Sequence, residues 1–118
     1  MKKSLIMLAM VSLNVTAHSH QPQKIAEYVV QPVNKYQIEL INMYPENMCY
    51  QVYIDGHLDG VRKYCLNAGE AADVDVWVNA KPDENTYKTV CTMPMLKGNL
   101  RVQQCTNFIL HWPASLLQ

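Results

Sequence analysis

Cys49-Tyr50-Gln51-Val52-Tyr53-Ile54-Asp55-Gly56-His57-Leu58-Asp59-Gly60-Val61-Arg62-Lys63-Tyr64-Cys65-Leu66 is the stretch whose reading decides the fold. Two runs rich in β-branched and aromatic residues, Cys49 to Ile54 and Gly60 to Leu66, flank a segment of Asp and Gly residues that tolerate positive φ. Partners across a hairpin keep a constant register. Cys49 and Cys65 centre on His57, and the same register sets Tyr50 against Tyr64, Gln51 against Lys63 and Tyr53 against Val61. A hairpin closed by a Cys49–Cys65 disulfide is therefore expected. Cys91 and Cys105 repeat the arrangement around Gly98, inside Lys97-Gly98-Asn99.

These four are the only cysteines in the chain. An even number in a small exported domain reads as two disulfides, because the compartment oxidises thiols and a small core gains from restraint of the unfolded chain. A four-thiolate zinc site would call for close C-x-x-C pairs, which this chain lacks. The competing connectivity is an inter-sheet bridge from Cys49 to Cys105 enclosing Trp77, in the manner of an immunoglobulin domain. The symmetry of each pair about a turn favours the local bridges.

Period-2 alternation runs through the rest of the chain. Tyr36, Ile38 and Leu40 alternate with Gln37 and Glu39, and Val74, Val76 and Val78 alternate with Asp73, Asp75 and Trp77. Further strands are expected at Ile25 to Val30, at Tyr87 to Met93, and at Asn99 to Trp112 with a break near Thr106 and Asn107. The separators carry turn chemistry, as in Pro45-Glu46-Asn47, Asn67-Ala68-Gly69-Glu70 and Lys81-Pro82-Asp83-Glu84-Asn85. About seven short strands without a helical segment predict an all-β, two-sheet sandwich of immunoglobulin-like kind, with a small β-barrel as the alternative.

The 118 residues allow one domain. Met1-Lys2-Lys3, the apolar run Ser4 to Val15 and the small residues ending at Ala17 make a secretory signal peptide over residues 1–17. That run is shorter than the roughly 20 apolar residues of a membrane-spanning helix. Residues 18–23, polar and without periodicity, read as a flexible arm, and residues 24–118 as the sandwich domain. Ten basic residues balance ten acidic ones, two of the lysines lie in the leader, and no basic cluster suggests nucleic acid. The expected location is periplasmic or secreted.

Catalytic chemistry is hard to place. Outside the arm the histidines are His57 and His111, neither in a nucleophile motif, and the cysteines are committed to disulfides. Asp55 to Asp59 lacks the ligand spacing of a calcium loop. Copper has a better claim. Cleavage after Ala17 leaves His18-Ser19-His20 at the amino end, where the terminal amine, two backbone nitrogens and the His20 imidazole supply the tetragonal nitrogen set suited to Cu(II). Met93-Pro94-Met95 adds soft sulfur near Cys91.

Seven tyrosines against one phenylalanine is a skewed choice, favouring rings that are half buried with the hydroxyl at water or a partner. Alternation puts Tyr53 and Trp77 on outward faces, and so makes them the partner-binding candidates. The functional expectation is a non-catalytic protein-interaction module of the bacterial envelope, an accessory subunit of a surface, pilus or secretion assembly that binds through a sheet face or an open edge. A periplasmic copper-binding protein is the alternative, and a small hydrolase or inhibitor the second alternative.

Overall fold

The computed structural model describes residues 18–95 and 103–117. The leader expected over residues 1–17 and the turn expected at Lys97-Gly98-Asn99 lie outside the described residues. Among the described residues eight strands follow one another: β1 (His18–Gln21), β2 (Lys24–Tyr28), β3 (Val33–Asn42), β4 (Met48–Ile54), β5 (His57–Leu66), β6 (Ala71–Asn79), β7 (Asn85–Pro94) and β8 (Gln104–His111). They form a three-stranded sheet ordered β1-β3-β6 and a five-stranded sheet ordered β2-β8-β7-β4-β5. The fold is thus the expected two-sheet sandwich. Among the described residues, no helix is long and apolar enough to cross a membrane.

Alternation explains which faces meet. On β3 the buried residues Asn34, Ile38, Leu40 and Asn42 alternate with exposed Lys35, Gln37 and Glu39, and β6 contributes Val74, Val76 and Val78 across an antiparallel register. From the other sheet Tyr50, Val52, Val90, Phe108 and Leu110 complete the core. Each fully buried apolar side chain stabilises by roughly 1.5–3 kcal/mol over leaving it in water. A run of two-faced strands can bury its apolar side only against a second such sheet, so these patterns require the sandwich.

The segment expected to be a flexible arm is instead strand β1, antiparallel to β3 with His18 opposite Asn42 and His20 opposite Leu40. Its inward side chains are imidazoles, which a search for apolar periodicity passes over. The chain then crosses at Gln21-Pro22, a cis peptide, to the other sheet, where β2 runs parallel to β8. The two short strands β1 and β2 thus lie in different sheets.

The first hairpin keeps the expected register from Cys49–Cys65 to Gln51–Lys63 and then departs from it. The turn is the two-residue Asp55-Gly56, with φ of 50° and 85°, the double positive φ of a type I′ hairpin. That shorter turn sets Tyr53 opposite Leu58, not Val61, and leaves Gly60, Val61 and Arg62 as a bulge in β5. Asp59 holds the bulge, accepting the Val61 N–H at 3.0 Å and the Arg62 Nε–H at 2.9 Å. Freed from the ladder, the Arg62 guanidinium donates to the Asp75 carbonyl of β6, and Lys88 donates to the Trp77 carbonyl at 2.8 Å. Two carbonyls along the β6 edge are occupied in this way. Strand β8 also differs from expectation: it runs unbroken through Thr106 and Asn107, because Thr106 faces inward and its hydroxyl donates to the Pro22 carbonyl at 2.6 Å.

Candidate functional site

Both disulfides are the local ones, Cys49–Cys65 and Cys91–Cys105, with Cα atoms 3.9 and 4.0 Å apart across neighbouring antiparallel strands. Directly opposed positions without ladder hydrogen bonds bring side chains close enough for such bridges. The Cys49 to Cys105 alternative is not formed. Both bridges project from the outer face of the five-stranded sheet, so neither ties the two sheets together.

That outer face is the candidate site. The β7–β8 register pairs Cys91 with Cys105, Thr89 with Asn107, Tyr87 with Ile109 and Asn85 with His111, all pointing away from the core. Strand β4 adds Tyr53 beside Cys91, and β2 adds Ala26 beside Ile109 and Tyr28 beside His111. Tyr28 is 78% exposed and Tyr87 67%. The Tyr28 and His111 rings meet edge to face, 5.6 Å between centroids. Aromatic and aliphatic groups are thus spread over this face, Tyr53 on one side and Tyr87, Ile109 and Tyr28 on the other, with the Cys91–Cys105 bridge and the polar Thr89–Asn107 pair between them. Beside Tyr53 the face dips into an open groove of about 740 Å³, bounded by the Asp55-Gly56 turn, Thr89, Gln103 and Asn107. Its rim is held by hydrogen bonds: the Asp55 carboxylate accepts the Thr89 N–H at 2.8 Å, and the Thr89 hydroxyl donates to Asn107 Oδ1 at 2.9 Å.

Tyr53 is half-buried on this face, whereas Trp77, 51% exposed, stands on the outer face of the other sheet. The structure does not bring the two together. Trp77 lies under the Lys35 ammonium, 5.3 Å from the ring centroid, among Gln37 and Asp75, so its surroundings are polar. Sequence reading missed Tyr28, Tyr87, Ile109 and His111. The signal was there in part: continuing the register of Cys91 and Cys105 by four residues sets Tyr87 opposite Ile109.

The residues assigned to copper sit elsewhere. His18 and His20 are fully buried between the sheets, and Ser19 faces the other way. Thr106 spends its one hydroxyl proton on Pro22, so its oxygen can only accept from His20 Nδ1, 3.3 Å away. His20 Nδ1 therefore carries the proton, and His20 Nε2 accepts from the Thr92 hydroxyl at 2.5 Å. His18 Nε2 donates to the Thr92 carbonyl at 3.2 Å, which leaves His18 Nδ1 as a buried acceptor without a hydrogen-bond partner among the described residues. Burial lowers the pKa of both rings, and His20, further depressed by His18, falls to about 4. Both are neutral at physiological pH. His18 also packs on Tyr50, 4.9 Å between centroids. The Tyr50 hydroxyl donates to Asn42 Oδ1 at 2.7 Å, and burial raises its pKa well above the ordinary phenol value. Among the described residues, no group of three or more His, Cys, Asp or Glu side chains is placed to hold a metal ion.

No family model and no curated protein matches the sequence. Solved structures do resemble the fold. The periplasmic chaperone SfaE superposes with a TM-score of 0.61 at 9% identity, covering 82% of this chain and 58% of that one. The ASH / PapD-like domain of human CEP192 gives 0.64 at 9% identity, covering 88% of this chain and 96% of the domain. A chain of the CsuC-CsuE chaperone-tip adhesion subunit pre-assembly complex from the chaperone-usher Csu pili of Acinetobacter baumannii gives 0.57 at 11%, covering 83% and 58%. The chain thus spans little more than half the length of the first of these chaperones. At such identities the likeness is one of fold: an immunoglobulin-like, PapD-like sandwich.

Proposed function

We propose that this chain is a non-catalytic protein-interaction module of the bacterial cell envelope, periplasmic or secreted, serving as an accessory subunit of a surface, pilus or secretion assembly. The observation that carries the reading is the set of exposed aromatic groups on the outer face of the five-stranded sheet, with Tyr28 and Tyr87 mostly in solvent. Aromatic groups on a rigid scaffold supply large contact area at low conformational cost, and such residues dominate the energetics of protein interfaces. Two hairpin disulfides suit an oxidising compartment and stiffen this same face. Resemblance of the fold to periplasmic chaperones, one of them solved as a pre-assembly complex with a tip adhesion subunit, adds support.

The test is recovery of the partner from envelope extracts with the exported protein as bait, followed by substitution. Tyr53→Ala and Tyr87→Ala are expected to leave the melting temperature nearly unchanged while weakening the complex by about 2 kcal/mol each. Trp77→Ala, on the opposite face, serves as the control and should leave binding intact. Equal binding by all three variants would remove the face from consideration.

A further inference from the structure

We infer that the groove beside Tyr53 receives a basic side chain of the partner, an arginine or lysine whose alkyl stem lies along the Tyr53 ring and whose cationic head meets the Asp55 carboxylate. The inference rests on the outer face being the interaction surface, and it names the chemistry that this surface selects. Two rungs of the sheet build the groove. Tyr53, Cys91 and Cys105 lie side by side across β4, β7 and β8, and Thr89 and Asn107 make the neighbouring rung, which Asp55 of the β4–β5 turn extends. Side chains two residues apart on one face stand about 7 Å apart, so one long side chain spans the ring and the carboxylate.

The charge of the groove is one-sided. Among the described residues that line it, Asp55 alone is charged. Its carboxylate is in place before a partner arrives: the Asp55 N–H donates to the Thr89 carbonyl at 2.8 Å, and Asp55 Oδ1 accepts the Thr89 N–H at 2.8 Å. An ionised carboxylate has about four lone-pair sites, so this bond leaves most of its acceptor capacity unused. The ion pairs among the described residues are Lys35–Asp75 and Arg62–Asp59, and neither brings a cation to Asp55. Gln103 turns its amide N–H groups on the sulfurs of Cys91 and Cys105, at 3.5 and 3.2 Å, which leaves its carbonyl oxygen as a second acceptor. A partner's carboxylate would be repelled here, and a purely apolar side chain would cover Asp55 without pairing it. A cation on an apolar stem is matched by the carboxylate, the amide oxygen and the ring together.

The variant that isolates the charge is Asp55→Asn. Asparagine suits the position before glycine in a type I′ turn, and its Oδ1 can keep the Thr89 N–H, so the hairpin and the melting temperature should be unchanged. The probes are N-acetylarginine amide and N-acetyllysine amide, with N-acetylcitrulline amide as the uncharged counterpart, followed by amide chemical shifts of the exported protein. The two cations should give saturable shifts centred on Tyr53, Asp55, Thr89 and Asn107, with a Kd in the millimolar range that rises about fivefold or more in Asp55→Asn and rises with added salt. The citrulline derivative should bind no better to the wild type than to the variant. Equal shifts from the citrulline derivative, or cation binding unchanged in Asp55→Asn, would overturn the inference. So would cation binding that emerges only when Lys97 or Arg101 is replaced by Gln, which would give the groove to this chain's own cation. With the recovered complex the two readings separate: loss of binding in Tyr53→Ala but not in Asp55→Asn leaves the interaction face standing and removes the cation, whereas full binding by Tyr53→Ala and Tyr87→Ala removes the face and the inference with it.

Discussion

Acidification from pH 7 to pH 4 should weaken the sandwich by way of its interior histidines. The folded-state pKa of His20 is lowered from 6.5 to about 4, by burial first and by His18 second. The unfolded chain takes up a proton on this ring as the pH falls below 6.5, while the folded chain resists until about 4. Stability is therefore fully present above pH 6.5, declines between 6.5 and 4, and for this group declines no further below that. At 1.36 kcal/mol per unit the shift corresponds to about 3 kcal/mol, a ceiling that local opening of β1 would lower. The pKa of His18 is lowered in the same direction, so its contribution adds to the slope. Among the groups bonding or stacking on the two rings, namely Tyr50, Thr92, Thr106 and each other, none is an acid that could stabilise imidazolium. The carboxylates of Asp59 and Asp83 have pKa values below the ordinary 3.8, so their contribution starts to be lost as the pH nears 3.8 and is lost further below it, after most of the histidine contribution has gone. Urea unfolding at half-unit steps, with disulfides intact and a chelator present, should show a loss of about 2 kcal/mol or more by pH 4.5. His20→Leu is expected to flatten most of that slope, whatever its stability at pH 7. A wild-type stability that stays level from pH 7 to pH 4.5, or an unchanged slope in the variant, would refute the buried neutral pair.

Two further outcomes follow from the geometry. Asn42 is the hub beneath the β4–β5 hairpin: its amide donates to the carbonyls of Glu46, Leu66 and Asn67, and its oxygen accepts from the Tyr44 N–H and the Tyr50 hydroxyl. Asn42→Ala strands several buried partners at once and should cost on the order of 3 kcal/mol by chemical denaturation, with Asn42→Leu no better. Replacing Cys91 and Cys105 together by Ser should cost about 3 kcal/mol, the chain-entropy value for a short loop, and non-reducing peptide mapping of the wild type should recover only the Cys49–Cys65 and Cys91–Cys105 pairs.

What could be read from the sequence was whatever depends on local periodicity. Side chains alternate with period 2, so Ile38, Leu40, Val74, Val76 and Val78 declare their inward faces without knowledge of what they face. Cross-strand partners keep a constant register, so cysteines symmetric about a turn declare their bridges, and Cys91–Cys105 carries Tyr87 and Ile109 onto one surface. Tertiary structure alone decided the remainder. Tyr53 and Trp77 both alternate outward, but only the strand order places them on opposite sides of the sandwich. The bulge at Gly60 to Arg62 arises from the preference of Asp55-Gly56 for a two-residue turn, set against a disulfide that pins the far end of the hairpin. Strand β1 was the hardest to foresee. His18 and His20 look like solvated polar residues until Thr92 and Thr106, more than 70 positions along the chain, provide the hydrogen bonds that make their burial tolerable.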